Sequence, residues 1–388
     1  MQFTIPYYNQ LDSFIAVPGI FLKMKMKTCI KNILLFAFCV LMSSCDDMSD
    51  VPSPVTLPAT PGEKGSMYVL SEGLFNMNNS ILSLINFDAG TLNPDFFLFR
   101  NNRGLGDTGN DMKRYGSKLW IVVNVSSQVE VLDLRTGISL KRIPFFNAAN
   151  VARQPRFITF SGNKAYVCSF DGTVARIDTT SMSIEAVTTV GRNPDGITAV
   201  NGKLYVSNSG GLDLPNYDNT VSVVDLASFK ELKKIVVGVN PFRAESDSQG
   251  DVYVVSRGNN STIKSAWCRI SSQTDEVVQT FNDLPVVNFT IHNDTAYMYN
   301  YDFVKSTYWV KTFDCKTEQL ISDNFISDAT ALERPFSITV NPFNGNVYLT
   351  DARNYTVKGD LLCFNRWGKL LYKITSIGLN PNSVVIYE

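Results

Sequence analysis

The sequence is poor in the residues that most metal proteins and many hydrolases depend on. It holds one histidine, His292, in 388 residues. Without a second imidazole, histidine–zinc clusters and histidine-based proton relays are excluded, and His292 reads as a structural or turn residue of an inner strand. Seven cysteines are present, yet no two stand at CxxC spacing. Cys168, Cys268, Cys315 and Cys363 are therefore expected as isolated buried thiols, with neither a metal site nor a redox pair. A core of this size needs no disulfide framework. Carboxylates are scattered without EF-hand spacing, and Gly210-Gly211 lacks the Lys-Ser/Thr ending of a phosphate loop. Charged residues make up 18% of the chain with a formal net charge of −1. No basic stripe exists, which excludes a nucleic-acid partner.

What is present begins with the N-terminus. Lys25, Lys27 and Lys31 precede an apolar run from Ile33 to Met42, too short to span a bilayer, and then Ser43-Ser44-Cys45. This resembles a bacterial lipoprotein signal peptide with Cys45 as the acylated first residue of the mature protein. Met42 stands where the strictest form of that motif has Leu. Residues 1–44 are read as upstream residues plus signal peptide, with Met24 or Met26 as initiator. Asp46-Asp47 resembles the surface-export signal of Bacteroidetes lipoproteins. Pro52, Pro54, Pro58 and Pro61 predict that residues 45–65 are a semi-rigid, lipid-anchored tether outside the fold.

From residue 66 onward one pattern dominates. An apolar residue, a tyrosine or tryptophan, and a second apolar residue recur seven times, centred on Tyr68, Trp120, Tyr166, Tyr205, Tyr253, Tyr297 and Tyr348. Repetition at roughly 40 to 50 residues signals a four-stranded propeller blade. Between triplets stand Gln154-Pro155, Asn193-Pro194, Asn240-Pro241, Leu284-Pro285 and Arg334-Pro335, and after the last comes Asn380-Pro381. Proline fixes φ and lacks a donor, so it suits the passage from an outer strand to the next inner one. The fold class is all-β: a seven-bladed β-propeller with four-stranded blades over residues 66–388. Because the chain enters at a second strand and ends in a further inner strand, residues 383–387 are expected to pair antiparallel with 66–71 and close the first blade. Asp133-Leu134-Arg135-Thr136-Gly137 marks a bulged turn between third and fourth strands, with relatives at Asp178, Asp225 and Asp314.

These repeats, as in Lys203-Leu-Tyr-Val-Ser-Asn208, resemble the YVTN-type propeller repeat. The first blade, Ser71-Glu72-Gly73-Leu74-Phe75-Asn76 followed by Asn79-Ser80-Ile81-Leu82, resembles the YncE-like surface lipoproteins of Bacteroidetes. Some lipoproteins of that family bind cobalamin outside the cell and pass it to a TonB-dependent transporter. The resemblance thus implies non-catalytic capture of cobalamin or a related corrinoid at the outer membrane, with no resident cofactor.

Blade geometry places the loops between second and third strands on the same face as the inter-blade connections, and function resides on such loops. Candidate ligand-binding residues there are Glu72, Phe75, Arg153, Arg156, Arg192, Asp195, Tyr217, Arg243, Arg257, Tyr301, Arg334, Arg353 and Tyr355. Arginine supplies a planar fork of donors and tyrosine a rigid amphipathic surface. That chemistry suits a large amide-fringed ligand with a phosphate; a polysaccharide or a partner protein fits nearly as well. A propeller hydrolase or lactonase is the third reading and needs a divalent ion over the channel. Loops 209–219 of blade four and 300–307 of blade six are expected to be the longest after a second strand.

Overall fold

Alternation along a strand explains the repeated triplet. Successive side chains point to opposite sheet faces, so each central aromatic looks one way and its apolar neighbours the other. In the computed structural model, which describes residues 52–259 and 261–388, the triplets form the second strands of seven antiparallel sheets. Each aromatic turns towards the following blade. Tyr68 packs with Leu119 and Ile121, Trp120 with Ala165 and Val167, Tyr166 with Leu204 and Val206, and Tyr205 with Val252 and Val254. Tyr253 meets Ala296 and Met298, Tyr297 meets Val347 and Leu349, and Tyr348 meets Met67 and Val69. The disc therefore has seven separate cores, one per blade interface. Truncating an aromatic of this size in such a core costs about 3–5 kcal/mol. Several hydroxyls reach across the same interface: Tyr68 donates to the Leu134 carbonyl at 3.0 Å and Tyr253 to the Cys315 carbonyl at 3.0 Å.

Closure follows the sequence expectation. The strand Pro381–Tyr387 pairs antiparallel with Ser66–Ser71, in the register Ser66↔Tyr387 to Leu70↔Ser383. Inner strands touch their neighbours all the way round, the last meeting the first. Blade four consists of Pro194–Val200, Lys203–Asn208, Thr220–Asp225 and Lys230–Val236. The turn aspartates act as expected: the carboxylates of Asp133, Asp178, Asp225 and Asp314 accept the amides of Thr136, Ser181, Ser228 and Thr317. Only the first of these turns has glycine at its left-handed position. Met182, Phe229 and Glu318 take positive φ in the others, so the aspartate sets the turn even without glycine.

Two expectations need correcting. The tether predicted over residues 45–65 is part of the fold from residue 52. Val55–Thr56 pairs with the short outer strand Thr91–Asn93 of blade one, and Leu57 enters the core between blades one and seven. Glu63, buried, accepts hydrogen bonds from the side chains of Asn341 (3.2 Å), Asn344 (3.3 Å) and Asn346 (2.6 Å) of blade seven. The physical reason is an unpaired edge: a three-residue outer strand leaves backbone donors and acceptors that this strap satisfies. The signal peptide, Cys45 and the remaining tether residues lie outside the described residues. In blade six the strands run on to Thr295–Asp302 and Thr307–Asp314, leaving a four-residue turn where a long loop was expected.

The four cysteines are buried and unbridged, as anticipated. His292 ends an inner strand beside Asn293, with its ring nitrogen 3.0 Å from the Asn293 side chain, which fits the turn role.

Candidate functional site

The two loop sets do share one face, and the backbone shows how. At four of the six inter-blade prolines the preceding residue is held at positive φ: Gln154 at 55°, Asn193 at 44°, Asn240 at 59° and Asn380 at 54°. In that pose its carbonyl accepts the amide of the residue just past a second strand: Phe170, Ser209, Arg257 and Glu72 respectively. Asparagine recurs here because it tolerates the left-handed region and its side chain caps a neighbouring carbonyl, as Asn380 does for Gly73 at 3.0 Å. These four inter-blade connections are thus stitched to their blades' second loops, fixing the residues on either side. The reading of Asn-Pro as blade punctuation missed this asparagine chemistry.

Five of the predicted residues form an ionic group on or beside the inner strands. Arg156 pairs with Asp195 at 2.7 Å, and Arg243 pairs with Glu245 at 2.6 Å. Arg257 and Glu72 complete the group. Burial pushes the Glu72 carboxyl up to about 7, against the opposing pull of Arg156 and Arg257, with Asp195 adding to the rise. Arg257 lies 3.3 Å above the Phe242 ring, its buried Nε lacks a hydrogen-bond partner, and burial lowers its pKa below the usual arginine value. Arg156 stacks on Phe170 at 4.5 Å and Arg243 on Phe157 at 5.7 Å, while Phe157 and Phe242 meet edge-to-face. Gly196 makes this closeness achievable: a Cβ there would stand 1.8 Å from the Phe242 carbonyl oxygen.

Beside it lies an aromatic clamp. Arg334 is stacked between Tyr355 (4.9 Å) and Tyr301 (5.5 Å), and Tyr355 packs edge-on against Phe336. Asp351 positions the clamp by accepting the amides of Glu333, Arg334 and Arg353, each at 2.8 to 2.9 Å. Tyr355 feels the charge of both Arg334 and Arg257, so clamp and ionic group adjoin. Neither of those two arginines has an ion-pair partner among the described residues.

Other predicted residues do structural work nearby. Arg153 is tied to Asp171 at 2.6 Å, Arg192 to Asp213 at 2.6 Å, and Arg353 to the fully buried Asp360 at 2.6 Å. These three brace loops or strands, which corrects the expectation of seven arginines presented together. Tyr217 is half-buried in the blade-four loop and Phe75 half-buried in the blade-one loop. Sequence reasoning also missed Phe157, Phe242, Asp111, Glu245 and Tyr299. Arg243 senses Glu245, Asp111 and Tyr299, and Arg257 senses Tyr299. A signal was available for Phe157, Phe242 and Glu245, which follow an inter-blade proline within four residues, but not for Asp111, which has no such proline before it, or Tyr299, which lies inside the second strand Thr295–Asp302. Among the described residues, no three His, Cys, Asp or Glu side chains converge to hold a metal ion.

The Glu72 shift has a stability consequence. Its folded value exceeds the usual glutamate value near 4.5, so the folded state holds the proton more tightly and stability falls as pH rises from about 4.5 to about 7. Glu72→Gln is expected to raise unfolding free energy by roughly 1–3 kcal/mol at pH 8 and to change little at pH 4. Urea denaturation at the two pH values checks this, and equal effects at both would contradict it.

No protein-family model matches this sequence, and no curated protein matches it. Solved structures do. A quinoprotein alcohol dehydrogenase-like protein of Bacteroides thetaiotaomicron has a TM-score of 0.59 at 15% identity, over 83% of this chain and 78% of that one. Hydrazine synthase of Kuenenia stuttgartiensis has a TM-score of 0.55 at 15% identity, over 71% and 88%. At such identity the likeness establishes the propeller fold alone.

Proposed function

We propose that this protein is a non-catalytic binding protein that captures a ligand on the face formed by the second-strand loops, with cobalamin or a related corrinoid as the leading ligand. The observation that carries the reading is the pair of aromatic-stacked arginines without acidic partners among the described residues, Arg257 on Phe242 and Arg334 between Tyr301 and Tyr355. Stacked guanidinium groups keep their planes and donors ordered before a ligand arrives, which lowers the entropy cost of binding. A flat, amide-fringed ligand with one phosphate matches that combination of rings and forks. The resemblance to surface lipoproteins, the candidate acylation site Cys45 and the acidic pair after it extend the proposal to display at the outer membrane and delivery to a TonB-dependent transporter.

Purified protein mixed with cyanocobalamin and desalted is expected to stay coloured, with calorimetric heat of binding. Tyr355→Ala and Arg334→Ala should each weaken affinity by about tenfold or more. Colourless protein with no heat would refute the corrinoid reading. A partner-binding module is the second reading, favoured by apolar loop tips on the same face: Val304 is 93% exposed, Met77 62% and Leu214 58%. A stable protein complex formed without small ligand would favour it. The hydrolase or lactonase reading has no convergent metal-donor set to rest on among the described residues.

A further inference from the structure

The charges around Glu72 do not balance as two ready pairs. Arg156 already holds Asp195 at 2.7 Å, and Arg243 holds Glu245, whose second oxygen accepts the Ile291 amide at 2.8 Å. That leaves Arg257 and Glu72. Glu72 is fixed at its backbone, where its amide donates to the Asn380 carbonyl at 3.0 Å, but its carboxylate receives no hydrogen bond from the described residues. The charged groups facing it are Arg156 from blade three, Asp195 from blade four and Arg257 from blade five. Arg257 is held by a ring face rather than an acid, and its inner nitrogen is buried without a partner. A buried guanidinium in that state has unspent capacity for an oxyanion, the partner it prefers in fork geometry.

We infer that Arg257 is the seat for an anionic group of the ligand, and that Glu72 is the counter-charge this group replaces, taking up one proton from solvent as it arrives. The inference rests on the binding face proposed above and adds to it an anionic ligand class and a proton linkage. Before an anion arrives, Glu72 supplies the negative charge near Arg257. A second anion beside it makes two like charges compete for one cation, and the carboxylate relieves the conflict by becoming carboxyl. The burial that already raises the Glu72 value makes that step small near neutral pH. Binding therefore tightens as pH falls through neutrality and weakens above it, because the proton is a co-ligand.

The test uses benzenesulfonate, a flat ring whose charge is constant across the range, titrated calorimetrically into the whole protein at pH 6 and pH 8.5. Affinity is expected to fall about tenfold at the higher pH, consistent with one linked proton. At pH 8.5, repeating the titration in two buffers of different ionisation enthalpy should reveal proton uptake. Glu72→Gln should bind about tenfold more tightly than the parent at pH 8.5 and lose both the pH dependence and the uptake. Arg257→Gln should abolish binding while its thermal unfolding stays near that of the parent, which separates loss of the seat from loss of folding. Failure of benzenesulfonate to bind at either pH, equal affinity at both, or retained proton uptake in Glu72→Gln each overturns the inference. Binding of benzenesulfonate with the expected linkage but no uptake of cyanocobalamin would leave the seat standing and remove only the corrinoid.

Discussion

A chain ending at Asn380 is expected not to form a closed ring. Residues 381–388 supply the inner strand of blade one, and Val384, Ile386 and Tyr387 from it are buried in the cores on both sides. Tyr387 stacks on Tyr68 with ring centroids 5.5 Å apart. Each buried side chain of this kind contributes roughly 1.5–3 kcal/mol. Their sum, with the lost backbone ladder, rivals the 5–15 kcal/mol that typically separates folded from unfolded states. Removal also leaves Ser66–Ser71 as an uncovered, almost wholly buried strand edge, which promotes aggregation. Circular dichroism and size-exclusion chromatography of the truncated chain would show the loss. A cooperative thermal transition near that of the parent would show that the blade closes some other way.

The strap gives the second large effect. Chains beginning at residue 52 and at residue 66 differ only in this segment, and the shorter one is expected to lose about 2–5 kcal/mol. Part comes from Leu57, 9% exposed at the junction of blades one and seven. Part comes from Glu63, whose removal strips acceptors from Asn341, Asn344 and Asn346 at once. Of the three, Asn341 is buried, and an unsatisfied buried donor is expensive because water cannot replace the lost partner. Guanidinium denaturation of the two chains measures the difference, and Glu63→Ala in the longer chain should account for about 1–3 kcal/mol of it. Equal midpoints for the two chains would show that the strap merely lies on the surface.

The architecture was legible because it is periodic. An aromatic flanked by apolar residues needs only strand alternation to place it, and seven copies need only a ring. The closure could be read from counting strands at both ends. The strap was not legible, since its contacts are single residues, Val55, Leu57 and Glu63, in a proline-rich stretch with no alternation to reveal a strand. Its partner asparagines lie 278 to 283 residues away in sequence, and nothing local links them. The hairpin of blade six was misjudged because Asn300, Tyr301 and Asp302 look like loop residues until pairing with Trp309, Tyr308 and Thr307 is seen. For the site, the sequence supplied the face and the residue types but not which arginines already had partners. Arg153, Arg192 and Arg353 are indistinguishable from Arg257 and Arg334 until Asp171, Asp213 and Asp360 are placed beside them. Pairing is a three-dimensional property, and it decides which cations are available.

The register of the closing strand has a practical corollary. Tyr387 lies opposite Ser66, whereas Pro381 lies opposite Ser71, so the chain runs away from the candidate face and Glu388 emerges beside Gly65 on the reverse of the disc. An affinity handle or biotin appended after Glu388 would immobilise the molecule by its back. Every partner flowed over such a sensor would then meet the arginine–tyrosine side first.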